Sequence, residues 1–329
     1  MSEGQLVDGF GRTVRYLRLS VTDRCNLRCT YCMAEDMTFL PKSRVLSLEE
    51  MALVSQAFVA LGVEKIRLTG GEPLVRNGLL TLAQNLSKLD GLRELVMTTN
   101  GVLLDQYAVP LRDAGVSRIN ISIDSLRAER FTTLTRFGQL DDVLRGIQAA
   151  RQASFEKIKL NVVVLKGTND DEVVELTQFA VDNGLDIAFI EEMPLGEISS
   201  HDRVDTALDN ASVRQQLAEH FCLQASNYKD AASGPARYLQ IADSDTKVGF
   251  ISPMSDNFCS SCNRVRVTAE GQLLLCLGNE HSLDLRAIVR DNPDELQSAI
   301  MQAMQRKPEK HTFDPNDITI MRHMSATGG

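Results

Sequence analysis

From about residue 14 to residue 193, short apolar runs alternate with longer amphipathic stretches. The runs at 14–21, 64–70, 93–100, 117–124, 157–164 and 186–193 are short, β-branched and bounded by turn residues, so they read as strands. The stretches between them, at 48–61, 76–89, 104–114, 140–153 and 170–183, carry helical spacing. Ser47 stands three residues before Glu50, the pattern of a capping box at the start of the first helix. Gly62, Gly115 and Gly184 follow three of the helices, where a left-handed residue ends a helix at little cost. Six such β/α repeats predict an α/β fold with a parallel sheet, either an open doubly wound sheet or an incomplete (β/α)6 barrel of the TIM type.

After residue 194 the rhythm changes. MPLGEISSHD reads as a loop, a helix follows near 210–220, and 228–238 reads as a flexible loop. The strand-like pieces YLQI, KVGFIS, RVRVTA and QLLLCL then predict an antiparallel extension. The chain divides on this reading into a core at 1–225 and a C-terminal region at 226–329.

Parallel strands buried between helices are usually apolar on both faces. Several strands here are two-faced, since successive residues point to opposite sides. Lys65, Arg67 and Thr69 oppose Ile66 and Leu68, and Arg18 and Ser20 oppose Leu17 and Leu19. Asn120, Ser122 and Asp124 oppose Ile119, Ile121 and Ile123, while Lys157, Lys159 and Asn161 oppose Ile158 and Leu160. A solvated sheet face would explain one such strand. Four of them favour an incomplete barrel with a roomy polar interior. Buried cations need counter-charges, and Arg18, Lys65, Arg67 and Lys159 suit a polyanion such as a triphosphate.

Composition narrows the classes. The chain has 329 residues, 43% hydrophobic, with a formal net charge of −9. The acidic balance argues against a general nucleic-acid binder. No apolar run reaches the length of a membrane span, and MSEGQLVDGF lacks the pattern of a signal peptide, so a cytoplasmic protein is expected. In that compartment, seven cysteines read first as metal ligands or reactive thiols.

Six of the seven fall into two triads. Cys25, Cys29 and Cys32 have the spacing C-x3-C-x2-C directly after the first strand, and Cys259, Cys262 and Cys276 have the spacing C-x2-C-x13-C. Each is one ligand short of a closed zinc site or an ordinary four-iron cluster. Zinc with a distant fourth ligand is one reading. A four-iron cluster with one iron open to a small molecule is the other. The first triad sits after a strand end, where β/α barrels keep their chemistry. Arg264 and Arg266 share one strand face beside the second triad, which suits a substrate with a metal-binding end and an anionic end, as a guanine nucleotide has. Cys222 stands alone and reads as a small buried hydrophobe.

CxxxCxxC followed by Gly70-Gly71-Glu72-Pro73 resembles the radical S-adenosylmethionine superfamily. The segments LRLSVTDRCNLRCTYCM, KIRLTGGEPLVR, TTNG, RINISID, KLNVVVLKG, FIEEM and CSSCNRVRV and the terminal Gly328-Gly329 resemble, within it, the GTP 3′,8-cyclase family of molybdenum-cofactor biosynthesis. The resemblance implies an incomplete barrel whose open side the C-terminal region closes, and two [4Fe–4S] clusters. Cys25, Cys29 and Cys32 would hold the cluster that cleaves S-adenosylmethionine. The cosubstrate would meet Tyr31, Gly70, Gly71, Glu72, Ser122 and Met193. Cys259, Cys262 and Cys276 would hold the cluster that anchors the purine. GTP would meet Arg18, Lys65, Arg67, Thr98, Lys159, Arg264, Val265 and Arg266, and the Gly328-Gly329 tail would enter the site. A deoxyadenosyl radical would take hydrogen from C3′ of GTP, and the C3′ radical would close on C8 of guanine.

The implied associations are a reducing protein of flavodoxin or ferredoxin type, hand-off to the next enzyme of the pathway, and a monomer or homodimer, without nucleic acid or membrane. Two departures stand out: Ala188 where some relatives carry Arg, and SATGG in place of a more apolar tail. A peptide-modifying radical enzyme and a redox-responsive iron or zinc sensor are the competing readings.

Overall fold

The two-faced strands assemble into one twelve-stranded sheet that curls around a polar interior. The computed structural model describes residues 5–196, 198, 201–226, 232, 234–314 and 316–328. The core strands are β1 (Tyr16–Ser20), β2 (Lys65–Thr69), β3 (Glu94–Thr99), β4 (Arg118–Ser122), β5 (Lys157–Val164) and β6 (Asp186–Glu191). They pair in sequence order, all parallel. Between them run α1 (Leu48–Ala60), α2 (Leu79–Leu86), α3 (Leu104–Asp113), α4 (Ala128–Thr135), α5 (Leu140–Gln152) and α6 (Val173–Asn183).

Local chemistry sets the boundaries. Glu50 N donates to Ser47 Oγ at 3.1 Å and Ser47 N donates to Glu50 Oε2 at 2.7 Å, so the expected capping box starts α1. The helix read at 76–89 begins only at Leu79, because Gly78 is left-handed (φ 80°) and lies against Leu48 of α1. Helix α4, which lies outside the helical stretches read from the sequence, follows β4 and buries Phe131, Leu134 and Thr135 on one face.

The C-terminal strands are β7 (Leu223–Ala225), β8 (Arg237–Ile241), β9 (Lys247–Ile251), β10 (Arg264–Val267), β11 (Gln272–Leu274) and β12 (Ser282–Asp284). They do not stack on the core as a separate layer. The sheet order is β12-β11-β10-β1-β2-β3-β4-β5-β6-β9-β8-β7, so they extend it at both edges. The β10–β11–β12 and β9–β8–β7 pairings are antiparallel, as expected. The two junctions, β1–β10 and β6–β9, are parallel. This places the arginines of β10 in register with β1: Tyr16 opposite Arg264 and Arg18 opposite Arg266.

The outer face is apolar. Leu17, Leu19, Ile66, Leu68, Ile119, Ile121, Ile158 and Leu160 are buried with the helices in one continuous core. Each large aliphatic side chain removed from water contributes about 1.5–3 kcal/mol. That burial fixes register, because a one-residue slip would turn every cation of the inner face into the core.

Candidate active site

The inner face lines a cavity of about 340 Å³. Arg18, Lys65, Arg67, Asn120, Lys159 and Asn161, picked from alternation alone, all border it. Both cysteine triads border it as well, although 226 residues lie between Cys32 and Cys259.

The first triad is built by strand ends. The Gly70-Gly71-Glu72 turn after β2 runs beside the segment leading to Cys25: Gly71 N donates to Thr22 O at 2.9 Å and Glu72 N to Arg24 O at 2.8 Å. A Cβ on Gly70 would fall 2.3 Å from Thr22 O, and one on Gly71 would fall 2.4 Å from Arg24 O. Both glycines are therefore needed for the close backbone approach. Glu72 lies behind the wall, fully buried. Its carboxylate accepts from Leu74 N at 3.0 Å, Thr99 Oγ1 at 2.8 Å and Asn100 N at 2.7 Å. Burial nonetheless pushes it up to about 7. Asn100, which the strand reading ended on without assigning a role, joins the motifs: its Nδ2 lies 3.8 Å from Cys25 Sγ and 2.8 Å from Asn26 Oδ1.

Burial raises the thiols of this triad, Cys25 to about 11 and Cys32 to about 12, with Cys29 also well above its usual value. The thiols raise one another further, and Asp124 and Glu72 add to the effect. Tyr31 OH donates to Asp124 Oδ2 at 2.6 Å, while Val163 N donates to Asp124 Oδ1 at 2.9 Å. Ser122 and Met193 border the same end of the cavity.

The second triad has a different setting. Lys307, 2% exposed, donates to Leu275 O at 2.6 Å and Arg264 O at 3.2 Å, and its Nζ lies 3.6 Å from Cys262 Sγ. Arg12 Nη1 donates to Cys259 O at 2.8 Å. Burial would raise Cys262, yet Arg264 and Lys307 outweigh it and hold this thiol below its usual value. Cys276 is raised by burial. Neither Lys307 nor Arg12 had a local sequence signal, since each meets the triad only through tertiary packing.

The residues fit thiolate-bound clusters. Each triad lines the cavity and receives N–H donors at sulfur: Leu27 N at 3.4 Å from Cys25, the Ser325 backbone on Cys32, and Lys307 on Cys262. Among the described residues, no group of three or more His, Cys, Asp and Glu side chains is placed to hold a single metal ion.

Between the triads lies a cationic floor. Arg264, Tyr16 and Lys65 share one register row, and Arg266, Arg18 and Arg67 share the next. Lys65 pairs with Glu94, which also accepts from Arg118 Nη1 at 2.9 Å. Arg67 Nη1 donates to Thr98 Oγ1 and to Met97 O, both at 3.0 Å, and its Nε donates to Tyr16 OH. Tyr16 carries a signal that alternation could have used, being in phase with Arg18. Lys159 Nζ donates to Tyr238 OH at 3.0 Å. Tyr238 falls in the register row of Gly249 and Ala188, and a Cβ on Gly249 would lie 2.8 Å from its ring. Val265 is buried and borders the cavity beside Arg264 and Arg266.

The tail packs against the same strands, with Met324 bordering the cavity. Arg266 Nη1 donates to Gly328 O, and Gly328 has φ 75°. A Cβ there would fall 2.2 Å from Thr69 Cγ2 and 3.1 Å from Gly70 N. Gly329 lies outside the described residues. Cys222 is exposed, not buried, because it precedes β7 at the outer edge of the sheet.

Comparison with known proteins sets the class first. Residues 19–180 match the model described as Radical SAM superfamily, and residues 185–313 match the one described as Molybdenum Cofactor Synthesis C. Among solved structures, Streptococcus suis SuiB bound to S-adenosylmethionine aligns with a TM-score of 0.59 at 15% identity, covering 88% of this chain and 68% of that one. This likeness concerns the fold. The chain is 58% identical to the GTP 3′,8-cyclase of Pseudomonas entomophila (strain L48) over 98% of both chains. It is 57% identical to that of Marinobacter nauticus (strain ATCC 700491 / DSM 11845 / VT8) over 100% of both. The chain belongs to the GTP 3′,8-cyclase family.

Proposed function

We propose that this protein is a radical S-adenosylmethionine enzyme that cyclises GTP to (8S)-3′,8-cyclo-7,8-dihydroguanosine 5′-triphosphate, the first step of molybdenum-cofactor biosynthesis. The observation that carries the reading is one cavity with a cysteine triad at each end and a floor of arginine and lysine between them.

Cys25, Cys29 and Cys32 would hold one [4Fe–4S] cluster, and Cys259, Cys262 and Cys276 would hold the other. When bound and reduced, the first cluster would supply one electron to S-adenosylmethionine, whose S–C5′ bond would break to methionine and the 5′-deoxyadenosyl radical needed to take hydrogen from C3′ of GTP. The protein's part is placement. Gly70 and Gly71 bring backbone close to the cosubstrate, Glu72 ties that turn to β3, and Tyr31, Ser122 and Met193 shape its seat. Arg18, Lys65, Arg67, Thr98, Lys159 and Arg266 seat the triphosphate, and Arg264 and Val265 border the purine end. Charge-assisted contacts of this kind set orientation as well as affinity. Gly328, tethered by Arg266, couples the phosphate seat to the Gly70 turn.

Two functional regions, 1–225 and 226–329, divide these roles. Six thiols in clusters suit a reducing, cytoplasmic setting, with electrons from a flavodoxin- or ferredoxin-type protein and product passed to the next enzyme of the pathway, the chain acting as a monomer or homodimer. Among the described residues, no helix is long and apolar enough to cross a membrane.

The test is anaerobic turnover with GTP deuterated at C3′. Deuterium in 5′-deoxyadenosine together with cyclised GTP is the expected result. Deoxyadenosine without deuterium and without GTP consumption would move the reading to a peptide-modifying radical enzyme.

A further inference from the structure

We propose that Tyr16 is the internal counter-charge of the phosphate seat, holding Arg18 and Arg67 in place in the nucleotide-free protein and taking up one proton when a triphosphate arrives. The inference rests on the reading of this cavity as a GTP site.

Tyr16 is 1% exposed and borders the cavity at the centre of the cationic floor. Its hydroxyl oxygen accepts from Arg67 Nε and from the Arg18 guanidinium. A phenol oxygen served by two charged donors gains most as the phenolate, which is acceptor only. Every element packed around it contributes cations: Arg18 from β1, Lys65 and Arg67 from β2, Arg264 and Arg266 from β10. Lys65 Nζ lies 5.5 Å from the Tyr16 ring centroid and Arg67 Cζ lies 5.9 Å from it. Across β3, the carboxylate of Glu94 is engaged by Lys65 and Arg118. Burial alone would raise the phenol, but Arg67, Arg18 and Lys65 outweigh it and bring it down to about 7.

The crowded cations need this anion. Burial and mutual repulsion pull Arg18 down to about 10 and Arg266 well below its usual value. A bound triphosphate supplies its own negative charge to the same guanidinium groups. The phenolate then faces a polyanion and loses its donors, so it takes a proton from solvent to form an O–H bond. No other bond changes.

The experiment is anaerobic calorimetry of the cluster-loaded full chain with GTP, in two buffers of different ionisation enthalpy, at about pH 8, where the terminal phosphate (pKa about 6) is already ionised. Wild type should take up close to one proton per GTP, and Tyr16→Phe should take up far less. Wild-type affinity should be nearly flat between about pH 6 and 7, below which the phosphate itself protonates, and weaken above about pH 7 by up to about tenfold per pH unit, a slope absent in Tyr16→Phe. A second arm replaces all tyrosines by 3-fluorotyrosine, which acidifies the phenol without removing it. The onset of uptake should move to lower pH, and an unchanged onset would overturn the proposal. Equal proton counts in wild type and Tyr16→Phe, with GTP bound by both, would overturn this inference alone. No GTP binding by wild type would overturn the reading of the cavity and this inference with it.

Discussion

The two cysteine triads share a cavity but differ in the balance of charge around them. Around Cys25, Cys29 and Cys32 burial is the largest influence and pushes the thiols up; Glu72, Asp124 and mutual repulsion add to it, while Arg28 and Arg203 offset only part. Around Cys259, Cys262 and Cys276 the near charges are Lys307, Arg264 and Arg12, and Cys262 is held below its usual value despite burial. Net charge and donors at sulfur are among the terms that set a cluster's reduction potential. A cluster in the first setting should accept an electron less readily than one in the second, where cations offset more of its negative charge. A cluster in the second setting holds negative charge more comfortably, beside a floor built for an anion. The proposed division of labour, electron delivery at one triad and substrate anchoring at the other, would follow from which side chains surround each set of thiols.

The largest expected effects break the comparison outright. Cys29→Ala should abolish both cleavage of S-adenosylmethionine and GTP cyclisation. Cys276→Ala should abolish cyclisation and spare uncoupled cleavage, read as 5′-deoxyadenosine. Cyclisation at the wild-type rate by Cys276→Ala would remove the second triad from the mechanism. Gly328→Ala comes next, because a Cβ cannot fit 2.2 Å from Thr69 Cγ2 and 3.1 Å from Gly70 N. Cyclisation should fall strongly while iron content stays normal; full activity would show that the tail seat is not needed.

Smaller effects sharpen the contrast. Lys307→Met removes the buried cation beside Cys262 and should lower the potential of the second cluster while leaving the first unmoved. Potentials shifted equally in both clusters would contradict a local electrostatic role. Arg266→Ala should weaken GTP binding by about ten- to hundredfold, the loss of one charge-assisted contact worth about 1.5–3 kcal/mol. An unchanged dissociation constant would take Arg266 out of the phosphate seat.

Much of this site is legible from period-two alternation. Arg18, Lys65, Arg67, Asn120 and Lys159 are in phase with one another on strands whose other face is apolar, and the structure turns that face inward. The triads declare themselves by spacing. Other parts were hidden for definite reasons. The parallel junctions β1–β10 and β6–β9 join strands far apart in sequence, and no local pattern states which edge a late strand will find. Lys307 and Arg12 reach the second triad only after the chain has closed around it. Tyr16 shares the phase of Arg18, but an aromatic at the start of a strand reads first as core. Glu72 shows the reverse: the motif marks it, while the fold places its carboxylate behind the cavity wall, tied to Thr99 and Asn100.

The central claim is that one cavity holds the cosubstrate at one triad and the nucleotide at the other. Electron paramagnetic resonance of the reduced, two-cluster protein tests it most directly. GTP should perturb the signal that disappears in Cys276→Ala, and S-adenosylmethionine should perturb the signal that disappears in Cys29→Ala. A GTP-induced change confined to the Cys29-dependent signal, or no change in either, would contradict the account.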